Sequence, residues 1–84
     1  MPRSANVRNV SLRGKRTSVS LEPEFWEAIE TIARHKLVSI DVVLNEIDML
    51  RPKSPQGRSV ATFSESARLY VVRYFLAILR RKTS

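Results

Sequence analysis

The chain has 84 residues, the size of one small domain. It holds no cysteine and a single histidine, His35, which excludes disulfides, thiolate zinc sites and multi-histidine metal centres. The net charge of +7 is split into +5 over residues 1–20, −5 over 21–50 and +7 over 51–84. No catalytic, metal-ligating or cofactor-binding constellation is expected from these residues. The basic ends read either as a surface for a polyanion, nucleic acid first, or as solvated charge.

Residues 1–8 have no periodicity and read as a flexible basic arm, leaving 9–84 as one domain. Lys15 to Leu21 alternates, with Thr17, Val19 and Leu21 on one face and Arg16, Ser18 and Ser20 on the other. That is the period-two pattern of a strand over 15–21. A weaker strand candidate, Asn9 to Leu12, precedes it, and Arg13-Gly14 offers a hairpin turn between the two.

Pro23 at a first helical position and acids beside it open a helix over 23–36. Its apolar stripe is Phe25, Ile29, Ile32 and Ala33, widened by Trp26 and Ala28. Ser39 is the N-cap of a second helix over 40–50, with Ile40, Val43, Leu44, Ile47 and Leu50 on one side. Pro52 ends it, and residues 51–61 read as a loop. Thr62 and Glu65 have capping-box spacing and predict a third helix over 63–81. Apolar residues cover most of its circumference, so burial on more than one side is expected, some of it against another subunit. Its longest apolar-rich run, Leu69 to Leu79, contains Arg73 and falls short of the ~20 residues of a membrane span. Nor do the first residues contain the apolar region of a signal peptide. A cytoplasmic, nucleoid-associated protein without membrane contact is the resulting expectation.

One good strand ahead of helices has no partner for its backbone groups. Pairing with the same strand of a second copy would supply one, antiparallel by two-fold symmetry. The outer face of that ribbon would present Arg16, Ser18 and Ser20, and a two-stranded ribbon fits the major groove of B-DNA. If residues 9–12 also pair, the sheet across the dimer has four strands and is too wide for the ~12 Å groove edge to edge.

The residues Arg16-Thr17-Ser18-Val19-Ser20-Leu21, Glu22-Pro23-Glu24-Phe25-Trp26 and Val38-Ser39-Ile40 resemble the ribbon-helix-helix family of Arc/CopG-type DNA-binding proteins. In particular they are similar to a bacterial subgroup with an additional C-terminal helix. The resemblance implies a mainly α fold in which one strand pairs antiparallel across a homodimer and three helices follow. It implies base contacts from Arg16, Ser18 and Ser20, and a phosphate held by Ser39 and Ile40, a role that a helix N-terminus also suits on physical grounds. Arg13 and Lys15 are candidate phosphate contacts. Thr17, Val19, Leu21, Phe25, Trp26, Ile29, Val43 and Ile47 are the expected dimer core. Family members usually carry Gly in the turn between the first two helices, where Leu37 stands here.

The expected function is sequence-specific binding of double-stranded DNA by a homodimer, most simply as a transcriptional repressor, with higher-order assembly on neighbouring sites. The alternatives are an antitoxin-like protein whose apolar C-terminal helix binds a protein partner, and an accessory factor for DNA segregation or transfer.

Overall fold

The computed structural model describes residues 6–83, which form two strands and three helices in the order β1 (Val7–Leu12), β2 (Lys15–Ser20), α1 (Pro23–Lys36), α2 (Ile40–Met49) and α3 (Phe63–Thr83). The two strands are one antiparallel hairpin, with Val7 opposite Ser20 and Leu12 opposite Lys15. The partner expected from a second copy is thus supplied within the chain. Val7 and Arg8, expected in a flexible arm, are strand residues. Asn6, from the same arm, accepts the Leu21 N–H just ahead of β1, and residues 1–5 lie outside the described residues.

The hairpin closes through Arg13 at φ 53° and Gly14 at φ 90°. Two positive φ values are what a two-residue turn needs to match the twist of the flanking strands. Glycine takes such a φ without cost, whereas Arg13 carries a Cβ into it.

Alternation sorts the ribbon into two faces. Val10, Leu12 and Val19 point inward and are buried, followed by Leu21 just past β2. They meet Trp26, Ile29, Ile32 and Ala33 of α1, Val43, Leu44 and Ile47 of α2, and Phe63, Ala67 and Val71 of α3 in one core. Of the residues expected in the dimer core, Val19, Leu21, Trp26, Ile29, Val43 and Ile47 are buried within the single chain, with Thr17 and Phe25 partly so. Each such burial of a large aliphatic side chain is worth roughly 1.5–3 kcal/mol. The Trp26 indole donates to the Asn6 carbonyl at 2.7 Å. Arg8 lies over its ring, 4.6 Å from the centroid, and pairs with Glu30 at 2.9 Å.

The helix boundaries follow from local chemistry. Leu37 ends α1 in the left-handed conformation, φ 60° and ψ 42°, with its N–H donating to the Ala33 and Arg34 carbonyls. The turn closes as it would with glycine, at a steric cost of about 1–2 kcal/mol. Ser39 caps α2, accepting the Val42 N–H at 3.3 Å. The second helix stops at Met49, with Leu50 as its C-cap. The third helix is opened by a reciprocal capping box: Glu65 N–H donates to Thr62 Oγ1 at 3.1 Å, and Thr62 N–H to Glu65 Oε1 at 3.0 Å. It runs two residues beyond the expected end at 81.

Polar groups fasten α3 to the other helices. Lys36 donates to Glu46 at 2.7 Å, and Tyr70 donates to the same carboxylate at 3.2 Å. The Glu46 carboxylate holds the Lys36 ammonium above its usual range, while burial pushes the Tyr70 phenol up. His35 and the Tyr74 hydroxyl are also hydrogen-bonded. Tyr70, Tyr74 and Phe75 are packing residues against the core.

Candidate nucleic-acid interface

The solvent face of the ribbon is built from the residues that alternate away from the core: Val7, Asn9 and Ser11 on β1, opposite Ser20, Ser18 and Arg16 on β2. All six are exposed. The expected readers Arg16, Ser18 and Ser20 therefore share one face, and β1 adds a second row beside them. Ser18 Oγ donates to Asn9 Oδ1 at 2.8 Å across the strands. That bond orients the Asn9 side chain so that its amide N–H groups remain available as donors.

The sequence does not single out Asn9 as a candidate reader, because β1 is only a weak strand in it. The signal that could have found it is alternation in Val7-Arg8-Asn9-Val10-Ser11-Leu12, with Val10 and Leu12 inward. This row puts an asparagine amide, an arginine fork and three hydroxyls on a surface one ribbon wide. Arginine bonds guanine O6 and N7 in pairs, asparagine does the same to adenine N6 and N7, and hydroxyls accept or donate to either.

Both edges of the ribbon are tied to helices. In the observed register Leu21 N–H donates to the Asn6 carbonyl at 3.0 Å. By antiparallel alternation the backbone groups of Ser20 and Ser11 then point away from the opposite strand. The Ser20 carbonyl accepts from Ser64 Oγ of α3 at 2.8 Å, and the Ser11 carbonyl accepts from Asn45 Nδ2 of α2 at 3.2 Å. Below Ser20, Arg68 forks onto Glu22 with distances of 3.0 and 3.2 Å. This guanidinium holds the Glu22 carboxyl below its usual range.

The candidate phosphate contacts divide. Lys15 and Arg13 sit exposed at the hairpin end beside Arg16. Arg13 also faces Asp48 at 3.8 Å, a long contact from an exposed arginine to a carboxylate that Arg51 already pairs at 2.9 Å, and so of small energetic weight. Ser39 and Ile40 stand on a different element, and no hydrogen bond among the described residues joins them to the ribbon face. Asp41 in the first turn of α2 offsets part of the dipole that would favour an anion there. Among the described residues no group of three or more potential ligands could hold a metal ion, and no helix is long and apolar enough to cross a membrane.

A family description, the ribbon-helix-helix domain, matches residues 5–75. Comparison with curated proteins and with solved structures finds no match.

Proposed function

The chain belongs to the ribbon-helix-helix family, whose domains are generally DNA-binding transcription regulators and typically dimerise, and on that premise we propose that its hairpin is the DNA-reading element. The single observation that carries the reading is the outward row of Asn9, Ser11, Arg16, Ser18 and Ser20 on a ribbon complete within one chain. Its width suits the major groove without a strand from a second copy. Arg16 reads guanine and Asn9 reads adenine, while Arg13 and Lys15 at the hairpin end bond flanking phosphates. Ser39 and Ile40 at the start of α2 remain a second phosphate contact in this reading.

The biological role proposed is a transcriptional repressor, acting as a homodimer that occludes a promoter, with further dimers on adjacent sites. The test is selection of bound DNA from a random library at about 150 mM salt, where non-specific attraction to a basic chain is weakened. Arg16→Ala should cost about 1–3 kcal/mol per lost guanine contact and flatten the preference at that base pair. Lys15→Ala should weaken all sequences alike and lower the salt slope by about one. Equal loss of specific and non-specific affinity in Arg16→Ala would overturn base reading by the ribbon.

A second reading, a protein partner at α3, is favoured by the exposure of Leu69, Val72, Leu76 and Leu79.

A further inference from the structure

The ends of α1 and α2 and one face of α3 enclose an open groove of about 440 Å³. Ser66, Leu69, Tyr70 and Arg73 stand at i, i+3, i+4 and i+7 and so share that face of α3. Across from them are Lys36 at the end of α1, and Glu46 and Leu50 on the α2 side. Pro52 belongs to the same lining, and its loop is held in place. Arg51 donates to the Ala61 carbonyl and to Asp48, each at 2.9 Å, and the Val60 N–H donates to the Pro52 carbonyl at 3.0 Å. A preformed hollow of this size is in the range of small-molecule sites.

The charges of the groove do not cancel. Glu46 is met by the Lys36 ammonium at 2.7 Å and by the Tyr70 hydroxyl at 3.2 Å. Arg73 enters none of the ion pairs among the described residues. One positive charge is left over, on a side chain whose planar fork matches a carboxylate. The Ser66 hydroxyl is buried without a hydrogen-bond partner among the described residues, a state that folded proteins seldom leave a polar group in.

Beside this charge the lining is apolar. Leu50 is 66% and Leu69 is 49% exposed, so both offer surface that a ligand would remove from water. The Tyr70 and Tyr74 hydroxyls are engaged by Glu46 and His35. Their rings lie nearly parallel, 6.4 Å between centroids at 21°, which gives the lining aromatic surface tethered at its polar ends.

We propose that this groove binds a small aromatic carboxylate, its anion forked by Arg73 and its ring laid against Leu50, Leu69 and the two tyrosines. A bare inorganic anion would leave the apolar lining uncovered, and a neutral ring would leave Arg73 unpaired. None of the lining belongs to the outward row of the ribbon, so the site does not depend on DNA reading.

The test uses the full chain without DNA, at about 150 mM salt, titrated with indole-3-acetate while backbone amide shifts are followed. Binding should show a dissociation constant of about 1 mM or lower, with the largest shifts at Leu50, Ser66, Leu69 and Arg73. Indole-3-acetamide lacks the charge and acetate lacks the ring, and each should bind about tenfold more weakly or worse. Arg73→Gln should weaken indole-3-acetate about tenfold. Arg58→Gln removes the same charge from the loop before α3 and should leave binding unchanged. Arg73 is exposed, and unchanged circular dichroism and thermal midpoints establish that each variant folds. The comparison of the three probes needs only the wild-type chain.

No saturation by about 5 mM, equal binding of acid and amide, or equal losses in the two variants would each overturn the proposal. So would shifts centred on Val42 and Met49, on the other side of α2. Ligand-driven dissociation of the protein in sedimentation equilibrium would overturn it in favour of a contact between copies at this groove.

Discussion

The Asn45 side-chain carbonyl accepts the backbone N–H of Arg13 at 2.7 Å, which anchors the hairpin turn to α2. The same side chain donates to the Ser11 carbonyl and to the Asp41 carbonyl at 2.8 Å. One amide thus spans the edge of β1, the left-handed turn residue and the preceding turn of its own helix. With the Ser64–Ser20 and Trp26–Asn6 bonds at the other end, it holds the hairpin against the helices.

Asn45→Ala should destabilise the fold by about 1–2 kcal/mol, from two lost ties to the hairpin at about 1 kcal/mol each. The loss should be uneven. Amide exchange at Arg13 should accelerate much more than at Ile29 or Val43, because those lie in the helical core. Equal acceleration at all three would show that Asn45 does not hold the turn.

In the proposed function Arg13 pulls stability and DNA affinity in opposite directions. Its φ of 53° is uncomfortable for arginine and well tolerated by asparagine, which with Gly14 would make the preferred hairpin pair. Arg13→Asn should therefore raise stability by up to about 1 kcal/mol, measured by urea unfolding. In the proposed function it should also lower affinity for every DNA sequence and reduce the salt slope by about one.

Leu37 carries the same backbone strain without a functional contact, since its side chain is exposed. Leu37→Gly should stabilise the protein by about 1 kcal/mol, the steric relief exceeding the entropy glycine adds to the unfolded chain. DNA affinity should not change. Destabilisation on unfolding in urea would mean that the Leu37 side chain is covered in the assembled protein.

The Glu22–Arg68 fork should be pH-sensitive. The Glu22 carboxyl is held below its ordinary value of 4.5 by the Arg68 guanidinium. A depressed folded value means the contribution is fully present above about pH 4.5 and is lost as pH falls through the lowered value. Wild type should lose its stability advantage over Glu22→Gln across that acidic window, measured by denaturant titrations at successive pH values. A gap that stays constant through the window would show that the fork does not respond to pH.

Much of this protein was legible from its residues in isolation. The periodicities of β2 and of all three helices, the Ser39 cap, the Thr62–Glu65 capping box and the shared outward face of Arg16, Ser18 and Ser20 are local properties. A pattern of period two or 3.6 decides which side of an element is wet whatever it packs against. The pairing of β1 with β2 is a different kind of fact. It turns on Arg13 accepting a left-handed conformation that its residue type disfavours, and the N–H of that residue bonds Asn45, 32 positions away. Asn9 became a candidate reader only through this pairing, which sets it opposite Ser18. Likewise the burial of Val19, Leu21, Trp26, Ile29, Val43 and Ile47 within one chain depends on surface from the hairpin and α3 that no periodicity counts. Sequence alone determined the faces of the elements; tertiary structure decided which face meets which, since long-range contacts can override a local preference of about 1 kcal/mol.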